Sequence, residues 1–300
     1  MSSVECPVVV PYFGGKYEIS RKMIHMIPEH ERYIEMFFGG GSVFFRKKKS
    51  NLNILNDIDS DLINLYICVV DKFDELKECV YWYPKSRALH DKFREEIKDT
   101  NIDIPDPRRA VKYYYCIRNA FNRVPTNNFS THSDWKIKLI DELKYSRIKL
   151  DGTTIENLDF RDLVDTYKPR ELDFYYLDPP YVVADKRKDY YRNVFNKEKH
   201  KALKDIVDQI DDSNANIMIS YDDHPYVREL YQDRYNMNTI NTKYVGTMSD
   251  KNGKFNRDEV KVELLITNYK ISEQGELFKQ WIKVGNVYKG MSNWSHHLCT

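Results

Sequence analysis

Phe174–Tyr181, with the sequence FYYLDPPY, is the most informative stretch of this 300-residue chain. Its first four residues are apolar and predict a buried strand, and the two prolines that follow stop both strand and helix. The stretch therefore predicts a rigid corner that presents an acid and an aromatic ring at the carboxyl end of a strand. Open α/β sheets bind their ligands at this end of their strands.

Such a corner suits one reaction in particular, the methylation of an exocyclic amine on a nucleobase. That amine is a poor nucleophile because its lone pair is delocalised into the ring. Asp178 and the backbone carbonyl of Pro179 can accept its two N–H hydrogens, while Tyr181 can stack on the base. A strand end with a solvated surface acid explains the same residues, so the interpretation depends on the rest of the chain.

A second corner lies at Tyr33–Phe44, with the sequence YIEMFFGGGSVF. An apolar strand ends there in three glycines, which permit a tight turn and the close approach of a ligand. Asn53–Asp59 then predicts a short strand that ends in acids. An acid about 20 residues beyond a Gly-rich turn is well placed to bind ribose hydroxyls. Near the N-terminus, Pro11–Lys16 is a glycine turn that ends in a cation.

In this order, the four motifs resemble the D12 class of DNA adenine-N6 methyltransferases, the family of the Dam enzymes. The resemblance runs from about Pro11 to Tyr269, and further matching segments are Ile155–Phe160, Phe195–His200 and Val262–Tyr269. It implies an α/β fold, a Rossmann-like methyltransferase core that uses S-adenosyl-L-methionine and is interrupted by a mainly helical DNA-recognition domain. It also implies methyl transfer to N6 of an adenine flipped out of double-stranded DNA.

The resemblance assigns roles to individual residues of this chain. The matching cofactor-binding positions are Tyr12, Lys16, Glu35, Phe37, Gly39, Gly41, Asp57, Asp159, Phe160 and Asp178. Within that set, Asp57 matches the acid that binds ribose, and Asp159 and Phe160 match contacts to the cofactor adenine. The catalytic positions are Asp178, Pro179, Pro180 and Tyr181, with Tyr190, Tyr191 and Phe195 expected to close over the base. The matching DNA-binding positions are Arg118, Phe121, Asn122 and Arg123, where Phe121 is expected to wedge into the duplex.

The distribution of charge agrees with the expected insertion. The net charge is only +1, but residues 76–150 carry 16 Lys and Arg against 10 Asp and Glu, while the remaining residues carry 31 against 36. A basic segment supplies sequence-independent affinity for phosphate. We therefore expect residues 1–75 and 151–270 to form a discontinuous catalytic domain, residues 76–150 the DNA-recognition domain, and residues 271–300 a C-terminal extension.

The coarse pattern predicts strands that alternate with helices, and hence a mostly parallel sheet covered on both faces. Strands are expected around Leu158 and at Phe174–Leu177, Ile217–Ser220 and Val260–Asn268. Helices are expected at Tyr17–Ile27, Ser42–Lys49, Asp59–Asp71, Asp74–Tyr83, Ser86–Lys98, Pro107–Phe121, Trp135–Tyr145, Lys197–Ile210 and Pro225–Arg234, with a hairpin or loop at Pro125–Asp134.

Composition limits the remaining possibilities. With 41% hydrophobic and 31% charged residues, the chain can bury a core, and no apolar run approaches a membrane span. The five cysteines are scattered and odd in number, which favours reduced thiols in a cytoplasmic protein. We expect no signal peptide and no metal site, and His296, His297 and Cys299 are interpreted as a polar tail. The oligomeric state stays open, a monomer included.

Two other functions are compatible with parts of this pattern. The same fold and corner can act on another amine, such as cytosine N4, an RNA adenine or a protein glutamine. A DNA-binding module with a decayed site is also conceivable, although intact Asp178, Tyr181 and Gly39 argue against it. Pro11, Met36 and Ile117 depart from the Dam pattern, so a GATC target does not follow and the recognition sequence is left open.

Overall fold

One seven-stranded sheet organises the chain. The computed structural model describes residues 10–11, 16–99, 102–133, 135–182, 195–243 and 260–271, and its strand order is β3-β2-β1-β4-β5-β7-β6. The strands are β1 (Arg32–Glu35), β2 (Leu52–Asn56), β3 (Thr154–Glu156), β4 (Asp173–Leu177), β5 (Asn216–Asp222), β6 (Asn236–Lys243) and β7 (Val260–Thr267). Strands β1–β5 pair in parallel, whereas β7 is antiparallel to β5 and β6. The predicted α/β architecture is confirmed, and the sheet is consistent with a methyltransferase fold.

Helices flank the strands, and several begin at residues that cap them. The helices of the described ranges are α1 (Tyr17–Met23), α2 (Ser42–Arg46), α3 (Ser60–Asp71), α4 (Phe73–Trp82), α5 (Arg87–Glu96), α6 (Pro107–Asn119), α7 (Leu139–Leu150), α8 (Phe160–Thr166), α9 (Lys197–Asp212) and α10 (Pro225–Tyr231). The carboxylate of Asp59 accepts two backbone amides at the start of α3, and Asp106 does the same for α6 just before Pro107. These side chains satisfy amides that have no partner within the helix.

The two faces of the sheet bury separate cores, as alternation along a strand requires. In β1, Tyr33 packs with residues of α3–α7, whereas its neighbour Ile34 packs with residues of α8–α10. In β4, Phe174 belongs to the first core and Tyr175 to the second. The predicted covering of both faces is therefore confirmed. The first core also joins the sheet to the helices between β2 and β3.

The strand order places a ligand crevice between β1 and β4. The connection from β1 leads to β2 on one side, while β4 and β5 extend the sheet on the other. In open α/β sheets, this reversal leaves a crevice outside the carboxyl ends of the two central strands. The Gly-rich turn follows β1 and the Asp-Pro-Pro-Tyr corner follows β4, so the two motifs meet at this crevice.

Several element boundaries differ from the predictions made on sequence. Helix α1 ends at Met23 instead of Ile27, because the backbone amides of His25 and Met26 donate to carbonyls three residues back, in tighter turns. Helix α7 covers Leu139–Leu150 rather than Trp135–Tyr145, and the Trp135 indole instead donates to the Tyr83 carbonyl over 2.8 Å.

The prediction of a strand at Leu158 was wrong. The backbone amide of Leu158 donates to the Asn56 side chain over 2.9 Å, while β3 ends at Glu156. Helix α8 and strand β6 were not predicted. The alternation of Asn and Thr along β6 gives little apolar signal, which explains why the pattern missed this edge strand.

Candidate active site

A cavity opens at the carboxyl ends of β1, β2 and β4 and contains both corners. The predicted residues that line it are Lys16, Glu35, Phe37, Gly39, Gly41, Asp57, Asp159, Phe160, Asp178, Pro179, Pro180, Tyr181 and Phe195. Residues that were not predicted also line it, among them Asn56, Asp59, Tyr176 and Lys199. The fold therefore brings together residues from most of the sequence motifs. Tyr12, Tyr190 and Tyr191 lie outside the described residues.

The glycine turn has a backbone that other residues adopt only with strain. Gly39 and Gly41 have φ angles of 46° and 63°, in the left-handed region that favours glycine. A Cβ atom on Gly41 would also collide with the Phe38 ring. The turn therefore needs glycine at Gly41 for both backbone angle and space, and it leaves backbone atoms facing the cavity.

Asp57 joins this turn to the end of β2. Its Oδ2 accepts the backbone amide of Gly39 over 2.8 Å, and its Oδ1 accepts the amide of Asp59 over 3.0 Å. Burial raises the pKa of Asp57 to about 6, although these amides partly offset the effect. Each carboxylate oxygen can accept more than one hydrogen bond, so the fixed carboxylate can still accept from a ligand hydroxyl.

Glu35 is a buried acid at the end of β1. It is 2% exposed, and the Tyr33 hydroxyl donates to its Oε2 over 2.7 Å. Burial raises the pKa of Glu35 to about 8, and the negative charge of Asp178 adds to the shift. Glu35 is therefore mostly neutral at pH 7 in the free protein.

Asn56 was missed by the sequence interpretation, yet its side chain fastens two loops of the site. Its amide nitrogen donates to the carbonyls of Met36 and Leu158, each over 3.0 Å, and its oxygen accepts the Leu158 amide. The sequence shows an Asn at the end of a strand, and the structure shows that its side chain is 1% exposed. A buried amide needs hydrogen-bond partners, and here they are the backbone groups of the two loops.

Aromatic rings form one wall of the cavity. The ring of Phe160 lies 5.9 Å from Phe37 and 6.0 Å from Phe195, measured between centroids, and Phe37 meets Phe195 edge to face at 5.8 Å. Next to this wall, Asp159 caps α8 and accepts from the Arg161 guanidinium over 2.8 Å. The hydrogen bonds from Arg161 lower the pKa of Asp159, so its carboxylate stays ionised.

Asp178 receives hydrogen bonds from the described residues at only one of its two carboxylate oxygens. Its Oδ1 accepts from the Lys16 ammonium over 2.6 Å and from the Ser220 hydroxyl over 3.1 Å. Among the described residues, Oδ2 has no hydrogen-bond partner, and the side chain keeps 22% of its surface exposed. Burial raises the pKa of Asp178, against the opposing effect of Lys16. Oδ2 is therefore the acceptor that Asp178 can offer to a ligand.

Tyr181 is held by its hydroxyl as well as by its ring. Its oxygen lies 2.5 Å from the Lys16 nitrogen, and the hydroxyl donates a short hydrogen bond to Oε1 of Glu263. The Lys16 nitrogen also lies 4.7 Å from the centre of the Tyr181 ring. Ser220 and Glu263 were not predicted as site residues, because each lies on a strand far along the chain from the corner.

The predicted DNA-binding residues lie at the end of α6, apart from the cavity lining. Phe121 is 52% exposed, and Asn122 and Arg123 follow it with φ angles of 56° and 58°. Arg118 is 4% exposed, and its guanidinium lies 2.6 Å from a Glu142 oxygen. The ion pair of Arg118 with Glu142 thus stabilises the end of α6. Direct contact of Arg118 with DNA stays a prediction. The loop presents Phe121 outward.

Two general properties follow from the described residues. They contain no group of three or more His, Cys, Asp or Glu side chains arranged to hold a metal ion. None of their helices is long and apolar enough to cross a lipid bilayer.

Comparison with known proteins places most of the chain in one group. Residues 12–248 match the family model described as D12 class N6 adenine-specific DNA methyltransferase. The type II methyltransferase M1.LlaDCHI of Lactococcus lactis subsp. cremoris is 28% identical over 275 residues, which cover 85% of this chain and 93% of the relative. The DNA adenine methylase of Escherichia coli K12 is 27% identical over 232 residues, which cover 73% of this chain and 82% of the methylase. The type II methyltransferase M.MjaIII of Methanocaldococcus jannaschii is 24% identical over 295 residues, which cover 89% of this chain and 100% of that methyltransferase.

Proposed function

Because this chain belongs to the D12 class of N6 adenine-specific DNA methyltransferases, we propose that it transfers the methyl group of S-adenosyl-L-methionine to N6 of an adenine flipped out of double-stranded DNA. The observation that carries the proposal is the orientation of Asp178. Its Oδ1 is occupied by Lys16 and Ser220, whereas Oδ2 has no hydrogen-bond partner among the described residues. An acceptor fixed in this way at a cavity suits an incoming amine.

The corner activates the amine by accepting its two hydrogens. Oδ2 of Asp178 takes one N–H and the backbone carbonyl of Pro179 takes the other, which moves the nitrogen toward a tetrahedral geometry. The lone pair then leaves the ring system and becomes nucleophilic. Catalysis of this kind depends on positioning and electrostatics. As the nitrogen–carbon bond forms, the carbon–sulfur bond of the cofactor would break and a neutral thioether would leave. The methylated nitrogen would then be cationic and would release a proton to water, so no separate general base is needed before the attack.

The cavity also suits the proposed cofactor. S-adenosyl-L-methionine, when bound, supplies an electrophilic methyl group on a positively charged sulfur. Five acids line the cavity against two lysines: Glu35, Asp57, Asp59, Asp159 and Asp178 against Lys16 and Lys199. This excess of acids complements a cationic ligand, and Glu35, which is mostly neutral in the free protein at pH 7, would ionise on binding it. Asp57 would hold the ribose hydroxyls, and the wall formed by Phe37, Phe160 and Phe195 would pack on the adenine ring.

Flipping of the target base is assigned to the exposed loop after α6. Phe121 projects an aromatic ring from the basic segment 76–150, which fits insertion into the space that a flipped base leaves. The segment would bind phosphates, and its binding should weaken strongly with salt.

Two of the relatives are named type II methyltransferases, and a role in protecting DNA against a restriction enzyme is proposed on that basis.

A product analysis tests the proposed reaction. The protein is incubated with labelled S-adenosyl-L-methionine and with unmethylated bacterial DNA, RNA or a protein mixture, and modified nucleosides and amino acids are identified by mass spectrometry. We expect N6-methyladenine in DNA alone, and at most a trace of it with Asp178→Asn. N4-methylcytosine, methylated RNA or methylated glutamine would each reject the proposed substrate. Cofactor binding without any transfer would favour a DNA-binding module with an inactive site.

A further inference from the structure

The Lys16 ammonium is shared between two carboxylates. It is a buried side chain, and its nitrogen lies 2.6 Å from Oδ1 of Asp178 and 3.3 Å from Oε1 of Glu263. Burial alone would lower the pKa of Lys16, but the two carboxylates more than offset this effect and raise it. Lys16 therefore stays charged, and its charge is divided between an acid at the corner and an acid on a distant strand.

Glu263 reaches the corner because of the register of β7. In the sheet it lies opposite Asp222 of β5 and Ile240 of β6, and it is 2% exposed. The residues on either side of it, Val262 and Leu264, are apolar, so the strand pattern places one acid in an otherwise apolar run. An acid buried in this position needs a partner, and Lys16 and Tyr181 provide it.

We propose that Glu263 is a positioning residue of the reaction, which holds Lys16 and Tyr181 so that Asp178 and the base-stacking ring keep their working geometry. The inference rests on the proposed methyl transfer at Asp178. It adds a second carboxylate, from the antiparallel strand β7, to a site whose other motifs come from the turns after β1, β2 and β4.

The first effect of Glu263 concerns the strength of Asp178 as a hydrogen-bond acceptor. Beyond the effect of burial, Lys16 lowers the pKa of Asp178 and the negative charge of Glu263 raises it, so Glu263 opposes the field of the cation and makes the ionised Asp178 a more basic acceptor. With Glu263 in place, Lys16 is attracted in two directions, and Oδ2 of Asp178 remains a strong acceptor for an amine. Without the charge of Glu263, nothing on this side would oppose the effect of Lys16 on Asp178, and the carboxylate would be a less basic and weaker acceptor.

The second effect concerns the orientation of Tyr181. Its hydroxyl donates to Glu263 and lies 2.5 Å from the Lys16 nitrogen, so its ring is fixed at both the face and the edge. A ring with a free hydroxyl could rotate away from the base. Small displacements of this kind are costly, since a misplacement of about 1 Å can lower a rate by roughly a hundredfold.

The two effects predict different outcomes for two substitutions of Glu263. Glu263→Gln keeps the length and the acceptor for Tyr181 but removes the charge. Glu263→Asp keeps the charge but shortens the side chain by one methylene. If charge sharing with Lys16 is the main role, the Asp variant retains more activity than the Gln variant. If Glu263 only fills space and holds Tyr181, the Gln variant retains more activity.

The experiment measures kcat, the cofactor Kd and the thermal midpoint for the wild type and both variants, on unmethylated bacterial DNA. We expect Glu263→Gln to lower kcat by about ten- to a hundredfold, Glu263→Asp to lower it less, and the cofactor Kd to stay within about twofold, as expected of a group that acts on the transition state rather than on cofactor binding. The exposed acid Glu229, changed to Gln, is the matched control and should leave all three quantities unchanged.

Two results would overturn the inference. One is a Glu263→Gln enzyme with kcat within twofold of the wild type; the other is a Gln variant that is as active as, or more active than, the Asp variant. A wild-type protein that forms no N6-methyladenine would instead reject the proposed function itself. Whether the wild type forms N6-methyladenine therefore distinguishes a failure of the inference about Glu263 from a failure of the proposed function.

Discussion

The hydroxyl of Tyr113 on α6 donates a hydrogen bond to Oδ2 of Asp59 over 3.1 Å. Asp59 in turn caps α3 with its other oxygen, and its backbone amide donates to Asp57. Helix α6 ends just before the exposed Phe121, so one helix is linked through Asp59 to the proposed ribose acid Asp57 and leads to the proposed DNA wedge. Arg109 and Asp61 form a second link between α6 and α3, with two nitrogen–oxygen distances of 2.5 and 3.0 Å.

Replacing Tyr113 by Phe should weaken cofactor binding without damaging the fold. The hydroxyl is buried, and loss of such a bond costs about 1 kcal/mol, or roughly fivefold in affinity if it is felt at Asp57. Tyr115→Phe is the matched control, because that hydroxyl is also on α6 but bonds to the Pro84 carbonyl. Calorimetry should show weaker cofactor binding for Tyr113→Phe alone, and an equal loss in both variants would contradict the link.

Replacing Asp178 by Asn should slow transfer severely while the protein still binds its cofactor. The amide keeps the size of the side chain but loses the charge that attracts the amine hydrogen. Removal of one such electrostatic group lowers kcat by about a hundred- to a thousandfold. The exposed Asp165→Asn on α8 is the control. Near-native turnover by Asp178→Asn, measured with labelled cofactor, would rule out the proposed role of Asp178.

Replacing Phe121 by Ala should weaken base flipping and leave the cofactor site intact. Because 52% of the Phe121 surface is exposed, its truncation should change the free energy of unfolding by about 0.5 kcal/mol or less. We expect a higher KM for DNA or a lower kcat, with an unchanged cofactor Kd. The exposed Ile148, changed to Ala, is the control. A loss of cofactor affinity or of stability in Phe121→Ala would place the ring in a structural role.

Cofactor binding should become tighter as the pH rises from 6.5 to 7.5. Burial raises the pKa of Glu35 to about 8, so this acid must lose a proton to face a cationic ligand. Below that pKa, the cofactor Kd should fall by up to about tenfold per pH unit. Asp57, with a pKa of about 6, is already mostly ionised in this range.

The same shift has the opposite sign for the stability of the free protein. The unfolded chain loses the Glu35 proton near the ordinary pKa of 4.5, whereas the folded protein keeps it to about pH 8, so this contribution to stability falls as the pH rises between these values. Glu35→Gln should bind the cofactor with little pH dependence over the same range. A wild-type Kd that does not change with pH would show that Glu35 stays neutral in the complex.

Local chemistry made part of this protein predictable from the amino-acid sequence. An apolar run before Pro179 and Pro180 ends a strand whatever surrounds it, and the glycines at Gly39 and Gly41 permit a turn that residues with a Cβ atom resist. The order of these motifs along the chain was sufficient to predict the family and an α/β sheet. It also predicted about half of the residues that line the cavity.

Tertiary structure alone decided which side chains support those motifs. Asn56 and Leu158 are 102 residues apart, and Tyr181 and Glu263 are 82 residues apart, so no local pattern relates them. They meet because the strand order brings β2 beside β3 and because β7 runs antiparallel beside β5. Burial of Arg118 on α6 against Glu142 on α7 is also a tertiary contact, since a helix pattern cannot tell which neighbour will cover a charged side chain. Residue type fixes the turns, whereas contacts across the sheet depend on the pairing of strands that lie far apart in the chain.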